Sequence, residues 1–416
     1  MTSQHNAVHF NWSRSSDPCL VTDVLSASTE RNVCEIHKTL RVILFVLFLS
    51  LEILLPFAQL QIQHLDVGQG DGTLIVTPSG LTILIDAGNN GKGTGVVLPY
   101  LNSLGITQLD FVIASHYHAD HIGGLDEVIN GLGAVNVGIV YDRGTDAPLP
   151  GTVTYTDYVA AAAAAGRVTI SLGQVIDLGD GATLTCLAVD GDVLDFGHVA
   201  DSDSSENDLS IAFLLSWNRF QYFTGGDCGG ETTYYADLET PLAPLVGDVD
   251  AFKINHHGSA YSTNQVFVDA LQPEVGVISV GDGNSYGHPV QAVLNRLAAA
   301  GCAMYLTEAG AGGTLPAGSG WVADGPIVLT TDGYSYSMAF GITSHLYPCD
   351  DLDPGDVNSD GLVGLVDLVI LHQYLAGNVA PGELPFLAHL GIGDVNGDGD
   401  VDGIDLVDLA GWLAGM

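Results

Sequence analysis

Residues 115–124 read "SHYHADHIGG" and place three histidines and one aspartate within six positions. His116 and His118 are two residues apart in a segment that follows an apolar, strand-like run, so both side chains can point towards one position. Asp120 and His121 follow where the chain turns, and they can point towards a second position nearby. Because imidazole and carboxylate groups are good Zn²⁺ ligands, the spacing predicts two neighbouring metal positions. Two cations about 3.5–4 Å apart can hold a bridging hydroxide, which is the nucleophile of many hydrolases.

The segments around this motif alternate between strand and helix patterns. "LQIQHLDV", "TLIVTP" and "LTILIDAG" are typical of strands, an apolar-periodic helix follows them, and "LDFVIAS" is typical of a buried strand that leads into the motif. Later segments such as "ATLTCLAV", "LSIAFLLSW" and "FQYFTGGD" predict a second sheet. "PVQAVLNRLAAAG" predicts a helix over residues 289–301. The alternation predicts an α/β fold.

The charge of the chain restricts its partners. Its 416 residues include 49 acidic and 10 basic side chains, and no basic stripe is present. Such a surface repels nucleic acid outside a local metal site, so tight, sequence-specific nucleic-acid binding is excluded. Six cysteines occur without CxxC spacing, which argues against a zinc finger. A disulfide between Cys302 and Cys349 is one pairing that an oxidising compartment would allow.

An apolar run near the N-terminus bears on localisation. Residues 41–59 read "RVILFVLFLSLEILLPFAQ" and follow Lys38. The run is typical of a signal peptide with cleavage near Ala58. It is also nearly long enough to span a bilayer, so a retained anchor over residues 42–58 is an alternative, and a buried segment is another. Export and anchoring both predict an extracellular or cell-surface protein.

The C-terminal segment contains an internal repeat with the spacing of a calcium loop. "DVNSDGLVGLVD" begins at Asp356 and "DVNGDGDVDGID" begins at Asp394. Ca²⁺ prefers six to eight oxygen ligands, and alternate residues of a tight loop can supply them. The pattern therefore predicts two calcium sites. Their ligands would be Asp356, Asn358, Asp360, Leu362 and Asp367 in the first loop, and Asp394, Asn396, Asp398, Asp400 and Asp405 in the second.

Each calcium loop is followed by one helical segment, and its twelfth position is Asp rather than Glu. In this the repeat resembles the type I dockerin module. The resemblance implies a small all-α calcium-binding domain over residues 355–416 that attaches an exported enzyme to a cohesin-type scaffold partner. Residues 343–354 would be the linker that precedes it.

Other motifs follow the histidine cluster in a fixed order. They are "HLDVGQGDGTLIVTPSGLTILIDAG" at 64–88, "ENDLSIAFLL" at 206, "FTGGD" at 223, "KINHHGS" at 253 and "SVGDGNSYGHP" at 279. With "HYHADH", they resemble the metallo-β-lactamase superfamily, and in particular the extracellular domain of the competence protein ComEC and its secreted relatives, which include phosphorylcholine esterases. The resemblance implies an αββα sandwich over residues 61–342, preceded by an N-terminal extension over residues 1–60. The resemblance does not extend to the membrane channel of ComEC.

The resemblance implies a role for each motif residue. His116 and His118 would bind the first metal ion, and Asp120 and His121 the second. Asp227 would be the carboxylate that bridges the two ions. His256 or His257 would complete the second site, and the sequence does not decide between them. Asp120 would count as both a ligand and a catalytic residue.

Several further residues carry weaker signals. Asp86 would support the metal loop from behind, or only cap a turn. Gln69 and Asp71 lie on an early loop that would face the site. The third histidine of many superfamily members has no clear counterpart, although His198 lies in the right interval. Cys228 is interpreted as a small buried residue.

A cluster before the helix at 289–301 is a candidate for contact with substrate. Asn284, Tyr286 and His288 could hold a substrate phosphate near the helix N-terminus, or protonate a leaving group. The alternative is that these residues only stabilise a turn.

These observations predict an exported, zinc-dependent hydrolase with about two Zn²⁺ ions, or Mn or Fe in their place, and about two Ca²⁺ ions. A phosphodiester of nucleic acid or of the phosphocholine type is the favoured substrate. The alternatives are a lactonase or β-lactamase-like ester or amide hydrolase, and a non-catalytic scaffold-binding protein.

Overall fold

The computed structural model describes residues 59–349, 363–376, 395 and 403–415. The N-terminal extension, including the apolar run at 42–58, lies outside these residues. Within them, no helix is both apolar enough and long enough to cross a membrane.

The described strands belong to two sheets. The strands of the first sheet are β1 (Leu60–His64), β2 (Thr73–Val76), β3 (Thr82–Ile85), β4 (Leu109–Ile113), β5 (Val137–Asp142), β6 (Arg167–Thr169), β17 (Ile327–Thr331), β18 (Ser335–Phe340) and β19 (Thr343–Pro348). Those of the second are β7 (Val175–Gly179), β8 (Ala182–Val189), β9 (Asp192–Val193), β10 (Gly197–His198), β11 (Ala212–Trp217), β12 (Phe220–Thr224), β13 (Ala251–Lys253), β14 (Val275–Ile278), β15 (Ala303–Leu306) and β16 (Gly320–Val322).

Each sheet combines an antiparallel and a parallel part. The first has the order β19-β18-β17-β1-β2-β3-β4-β5-β6, and its strands are parallel from β3 to β6. The second has the order β10-β9-β8-β11-β12-β13-β14-β15-β16, with β7 beside β8, and it is parallel from β12 to β16. All four residues of β3 and of β14 are buried, because parallel strands are covered on both faces.

Helices cover the outer face of each sheet, and apolar side chains fill the space between the sheets. Ile62, Ile83, Phe213, Tyr222 and Val277 belong to the core between the sheets. Within residues 59–349 there is one π-helical turn, Gly93–Val97, and the α-helices are Leu98–Ser103, Ala119–Ile122, Leu125–Leu132, Val153–Ala165, Glu239–Val246, Gln265–Leu271 and Gln291–Ala299. They pack in two separate apolar clusters on opposite sides of the sandwich. The predicted αββα sandwich is confirmed.

One predicted boundary at the end of this domain is wrong, and one allowed disulfide pairing is not formed. Residues 343–348, expected to be linker, form β19, which pairs with β18 from Ser335↔Pro348 to Phe340↔Thr343. The apolar residues of this stretch, Leu346 and Tyr347, are adjacent and do not alternate with polar ones, so its own pattern does not identify a strand. The Cys302 thiol is free and buried, so the Cys302–Cys349 disulfide is not formed.

The C-terminal segment contributes two described helices, Leu365–Leu375 and Gly403–Gly415. Leu371 and Leu409 are buried against each other's helices in one apolar cluster. Asp367 and Asp405, the twelfth residues of the predicted calcium loops, lie in the first helical turns and are buried. The other predicted calcium ligands lie outside the described residues; they are Asp356, Asn358, Asp360, Leu362, Asp394, Asn396, Asp398 and Asp400.

Candidate metal centre

The predicted metal ligands lie at the carboxyl ends of strands from both sheets. The motif 115–121 follows β4, and Asp86 follows the neighbouring β3. Asp227 follows β12, and the pair at 256–257 follows β13. The carboxyl ends of parallel strands share one edge of a sheet, which brings together segments that are far apart in the chain.

Glycines behind the histidine motif let the chain pack closely around it. A Cβ atom on Gly123 would lie 2.4 Å from the Ala119 carbonyl oxygen, and one on Gly124 would lie 2.3 Å from the Ala87 carbonyl oxygen. Neither position has room for a side chain. The backbone N–H of Tyr117 also donates a 2.8 Å hydrogen bond to Glu206 Oε1, which holds the loop from the other side.

One group of donors consists of His116, His118 and Asp227. Nε2 of His116 lies 3.1 Å from Nδ1 of His118 and 4.0 Å from Oδ2 of Asp227. His116 is buried, whereas His118 is exposed at the start of the helix Ala119–Ile122. The three donor atoms lie close enough together to face a single ion.

A second group surrounds the same carboxylate oxygen of Asp227. That oxygen lies 3.3 Å from Nε2 of His121 and 3.6 Å from Nε2 of His257. Nε2 of His257 is also 3.6 Å from Oδ2 of Asp120. His121, His257 and Asp227 form a group of possible ligands with Asp71, and Asp227 belongs to both groups. Asp120 adjoins this group through His257.

These residues fit a pair of divalent cations. Donor atoms about 2.0–2.1 Å from one tetrahedral ion are roughly 3.4 Å apart, which matches the spacings around His121 and His257. Nε2 of His121, Nε2 of His257 and Oδ1 of Asp227 are buried without a hydrogen-bond partner among the described residues. Burying such polar atoms unpaired costs free energy, and a cation between them would remove that cost.

Hydrogen bonds behind the imidazoles aim these nitrogens at the centre. Nδ1 of His121 donates to Oδ2 of Asp86 at 2.8 Å, and Nδ1 of His257 donates to the Ser279 carbonyl at 2.8 Å. Ser115 also donates to Asp86, from its backbone N–H at 2.8 Å and from its hydroxyl at 2.6 Å. With the proton on Nδ1, the lone pair of Nε2 points at the metal position. The structure therefore places Asp86 where the sequence predicted a supporting carboxylate.

Asp71 also lies behind the rings. Its oxygens are 3.5 Å from Nδ1 of both His121 and His257, so it faces the side of each ring opposite the centre. Lys253 pairs with it at 2.6 Å and donates to the Gly226 carbonyl at 2.8 Å. We therefore place Asp71 among the supporting groups, although its oxygens are near enough to the cluster to ligate.

The charges of the cluster keep its carboxylates ionised. Burial acts to raise the pKa of Asp120, but the neighbouring imidazoles of His257 and His121 lower it to about 2. Burial likewise opposes ionisation of Asp227, and the surrounding imidazoles hold its pKa well below the ordinary value. Both carboxylates are thus ready to accept a cation at neutral pH.

The two adjacent histidines, which the sequence does not separate, differ in their surroundings. His256 and His257 have left-handed φ angles of 49° and 54°, so both side chains point into the cavity instead of alternating. His257 joins the second donor group, whereas His256 belongs to neither group. Glu239 accepts hydrogen bonds from the Asn255 amide and from the Thr263 and Asn264 backbone, which holds this loop in place.

The centre forms the floor of an open cavity of about 550 Å³. In the described part of the chain, no Lys or Arg lines it. His288 and Tyr286 line it with stacked rings 5.8 Å apart, and Gln69 lines it from the early loop. Asn207, Tyr235, Ser259 and Tyr261 also line it. Asn207 and Ser259 lie within the quoted motifs and the two tyrosines lie outside them, and nothing in their spacing marked the four as site residues.

Three sequence-based candidates neither line the cavity nor belong to the donor groups and their supporting carboxylates. Asn284 uses its amide to hold a turn, because Nδ2 donates to the Gly281 and His288 carbonyls and Oδ1 accepts from the His288 backbone. Its predicted contact with substrate is therefore wrong. His198 is exposed and pairs with Asp192, away from the centre. Cys228 is buried in an apolar cluster, as expected.

Two family models match the chain. The Metallo-beta-lactamase superfamily matches residues 65–184, and the Dockerin type I domain matches residues 354–410. Solved structures with a similar fold include the metallo-beta-lactamase fold protein YhfI from Bacillus subtilis, with TM-score 0.38 and 14% identity over 60% of this chain and 98% of that chain. Tm1679, a metal-dependent hydrolase of the beta-lactamase superfamily, has TM-score 0.38 and 14% identity over 62% of this chain and 98% of that chain.

Curated relatives are competence and recombination proteins. ComE operon protein 3 of Bacillus subtilis is 26% identical over 66% of this chain and 35% of its own length. Recombination protein 2 of Haemophilus influenzae is 28% identical over 57% of this chain and 26% of its own length. The chain thus spans about a quarter to a third of the relatives it matches. The chain combines a region that matches the metallo-β-lactamase superfamily with a region that matches the type I dockerin domain, and part of it is similar to competence proteins.

Proposed function

We propose that this protein is a metal-dependent phosphodiesterase that acts outside the cytoplasm and is attached to a scaffold through its dockerin domain. The observation that carries the catalytic part is the position of Asp227. One of its oxygens lies within 4.0 Å of Nε2 atoms from both donor groups, at the floor of an open cavity.

The donor groups, together with the position of Asp120 beside His257, support one ligand assignment. His116, His118 and Asp227 would hold the first ion, and Asp120, His121, Asp227 and His257 the second. Zn²⁺ suits this nitrogen and oxygen set, and Mn or Fe are the alternatives. When bound, such ions lower the pKa of water and polarise the substrate oxygen.

The chain itself would bind and orient the substrate. Asp120 and Asp227 set the spacing of the cations, and Asp86 and Ser279 fix the ring directions of His121 and His257. A cavity without Lys or Arg suits a substrate with one negative charge at the reacting phosphorus, because no fixed protein cation offsets further charge. The competence and recombination names of the relatives favour a phosphodiester in DNA, and a phosphocholine-type ester is the alternative.

The catalytic proposal is tested by comparing three substrates. We expect the purified full chain to hydrolyse bis-p-nitrophenyl phosphate, and to turn over a lactone and a cephalosporin far more slowly. Preference for the lactone or the cephalosporin would replace the phosphodiesterase by an ester or amide hydrolase. If the protein holds its full metal content but hydrolyses none of the three substrates, the alternative of a non-catalytic scaffold-binding protein would remain.

Metal analysis of the wild type and of two variants accompanies the substrate assays, and one of the variants is the control. The wild type should contain about two transition-metal ions per chain. The double variant His118→Ala, Asp120→Ala removes one proposed ligand of each ion. It should lose both transition-metal ions together with hydrolysis. His198→Ala removes an exposed histidine away from the centre and should change neither.

We propose that the dockerin domain binds about two calcium ions and a cohesin partner. The burial of Asp367 and Asp405 at the start of the two helices supports this, since each is the last residue of a predicted loop. We place the end of the catalytic domain after Pro348, where β19 ends. Binding to an immobilised type I cohesin that is lost in EGTA and restored by Ca²⁺ would support the proposal.

Export is the remaining part of the proposal, and it rests on the apolar run at 42–58. N-terminal sequencing of secreted protein should find a mature chain that begins near Gln59. Recovery in the membrane fraction with the run still attached would indicate the retained anchor instead.

A further inference from the structure

The loop that carries His256 is held in a costly conformation. His256, His257 and Gly258 have left-handed φ angles of 49°, 54° and 75°, which glycine adopts freely and most other residues adopt rarely. Non-glycine residues held in this region cluster at functional sites. A ligand role accounts for His257 but leaves the strain at His256 unexplained.

His256 is buried beside the metal centre without being part of either donor group. Its Nε2 is 3.8 Å from Oδ2 of Asp227, which is beyond hydrogen-bond distance, and 3.2 Å from Nδ2 of Asn207. Its Nδ1 is buried without a partner among the described residues, and the residue lines the cavity. Tyr235 contacts the ring edge-on, with the centroids 5.5 Å apart.

The contact with Asn207 sets the tautomer of this ring. As the amide is oriented, Nδ2 of Asn207 donates to Nε2 of His256, so Nε2 is an acceptor. A neutral imidazole with an acceptor Nε2 carries its proton on Nδ1. The unpartnered atom at the cavity is therefore an N–H donor, next to the position where the cations would hold a substrate oxygen.

The cavity lacks other strong donors for an anion. No Lys or Arg lines it in the described part of the chain, and Lys253 is already paired with Asp71. A tetrahedral oxyanion has more oxygens than two cations can contact. An oxygen that no cation contacts can be met by a neutral donor, and both His256 and His288 line the cavity with a buried Nδ1 that has no partner among the described residues. Of the two, His256 has the contact with Asn207 that makes its Nδ1 the donor.

We propose that His256 is a substrate-binding residue and not a metal ligand: held by Asn207, it donates from Nδ1 to a non-bridging oxygen of the phosphate group. This rests on the proposed phosphodiesterase function for the chemical class of the ligand. Asn207 is the positioning residue, because it acts only through the ring of His256.

Three variants separate a ligand from a substrate contact. His256→Gly removes the side chain and tolerates the left-handed backbone, and His256→Asn tolerates it too while returning an N–H close to the Nδ1 position. His257→Gly is the matched change at the adjacent residue. Metal content and the affinity for inorganic phosphate are measured for each full-length protein, alongside hydrolysis of bis-p-nitrophenyl phosphate.

We expect His256→Gly to keep wild-type metal content and to weaken phosphate binding about 10- to 100-fold, the range for a lost hydrogen bond to a charged group. His256→Asn should recover most of that affinity. His257→Gly should lose about one transition-metal ion per chain. Asn207→Ala should weaken phosphate binding less than His256→Gly, with metal content and melting temperature unchanged.

Three results would overturn the proposal: metal loss in His256→Gly equal to that in His257→Gly, phosphate affinity unchanged in His256→Gly, or no recovery in His256→Asn. Failure of the proposed function has a different signature. The wild type would then bind phosphate through His256 but leave bis-p-nitrophenyl phosphate intact.

Discussion

The chain has two regions with predicted cation ligands, and these ligands are brought together in opposite ways. In the C-terminal repeat, all predicted ligands of one calcium site fall within twelve consecutive residues, such as Asp356 to Asp367. In the catalytic domain, the donors come from three loops, at His116–His121, Asp227 and His257, with support from Asp86. Local spacing is enough to define the first kind of site, whereas the second exists only when both sheets are folded.

The two regions should also differ in how far a single change spreads. A donor in the catalytic centre is bonded to groups from other strands, as His121 is to Asp86. A calcium-loop ligand belongs to one loop and its following helix. Loss of a catalytic donor should therefore affect several segments at once, and loss of a loop ligand only one repeat.

Asp227→Ala should have the largest effect. It removes the carboxylate common to both donor groups, and it leaves four neighbouring imidazoles without their shared anion. We expect loss of both transition-metal ions and a fall in kcat/KM of about 10³-fold or more. Metal analysis and hydrolysis assays measure this. Calcium content should stay unchanged, and a parallel loss of calcium would contradict the independence of the two regions.

The double variant Asp367→Ala, Asp405→Ala is the reciprocal change. Each aspartate is the final ligand of its predicted loop, so bound calcium should fall from about two ions per chain towards none. Cohesin binding should disappear with it. Hydrolysis and transition-metal content should remain at wild-type levels, and a loss of hydrolysis would show that the regions are coupled.

Asp86→Ala should have an intermediate effect within the catalytic centre. Asp86 contacts no predicted cation position, but it orients His121 and receives two hydrogen bonds from Ser115. Removing such a partner costs about 10- to 100-fold in metal affinity or activity. Asp86→Asn tolerates the left-handed φ of 59° and is the matched control. Equal losses in the two variants would point to the charge of Asp86 and not to ring orientation.

Asp208→Asn should have the smallest effect of these variants. It tests the raised pKa of a buried carboxyl group that faces no predicted cation. Burial raises the pKa of Asp208 to about 7, and hydrogen bonds from the Ala236 and Gly229 backbone offset this only in part. The unfolded pKa is about 4. Between these values the folded state holds a proton that the unfolded state lacks, so stability is lost as pH rises through about 7.

Thermal melts at several pH values check this expectation. The wild type should lose stability relative to Asp208→Asn as pH rises from about 4 to 8. Below about pH 4 the two curves should converge. A difference that does not change with pH would mean that the carboxyl group is already ionised when folded.

Much of the fold was predictable because its signals are local. Apolar runs such as "LTILID" and "LDFVIAS" predicted buried strands, and the order of motifs predicted both sheets of the sandwich. The edge strand at 343–348 was missed because its pairing partner β18, and not its own pattern, defines it. Edge strands depend on a neighbour that sequence periodicity does not show.

Within the site, prediction was easier where a role depends on residues close together in the sequence than where it depends on contacts between distant residues. The spacing of His116, His118, Asp120 and His121 suffices to define a cluster, since these residues are adjacent on one turn. The role of Asn284 was wrong, because its amide is consumed by the turn at 281–288. Asn207 was overlooked, as its contact with His256 joins residues 49 positions apart.

By itself, the sequence determined which side chains can bind cations, the α/β alternation of the catalytic domain and the repeat of the C-terminal domain. These properties depend on residue type and on spacing within one loop or one strand. Only the tertiary structure decided that His257 and not His256 faces the second donor group, and that Asp71 and Asp86 lie behind the imidazoles. Those outcomes depend on backbone φ angles and on packing between strand ends, which neighbouring letters in the chain do not specify.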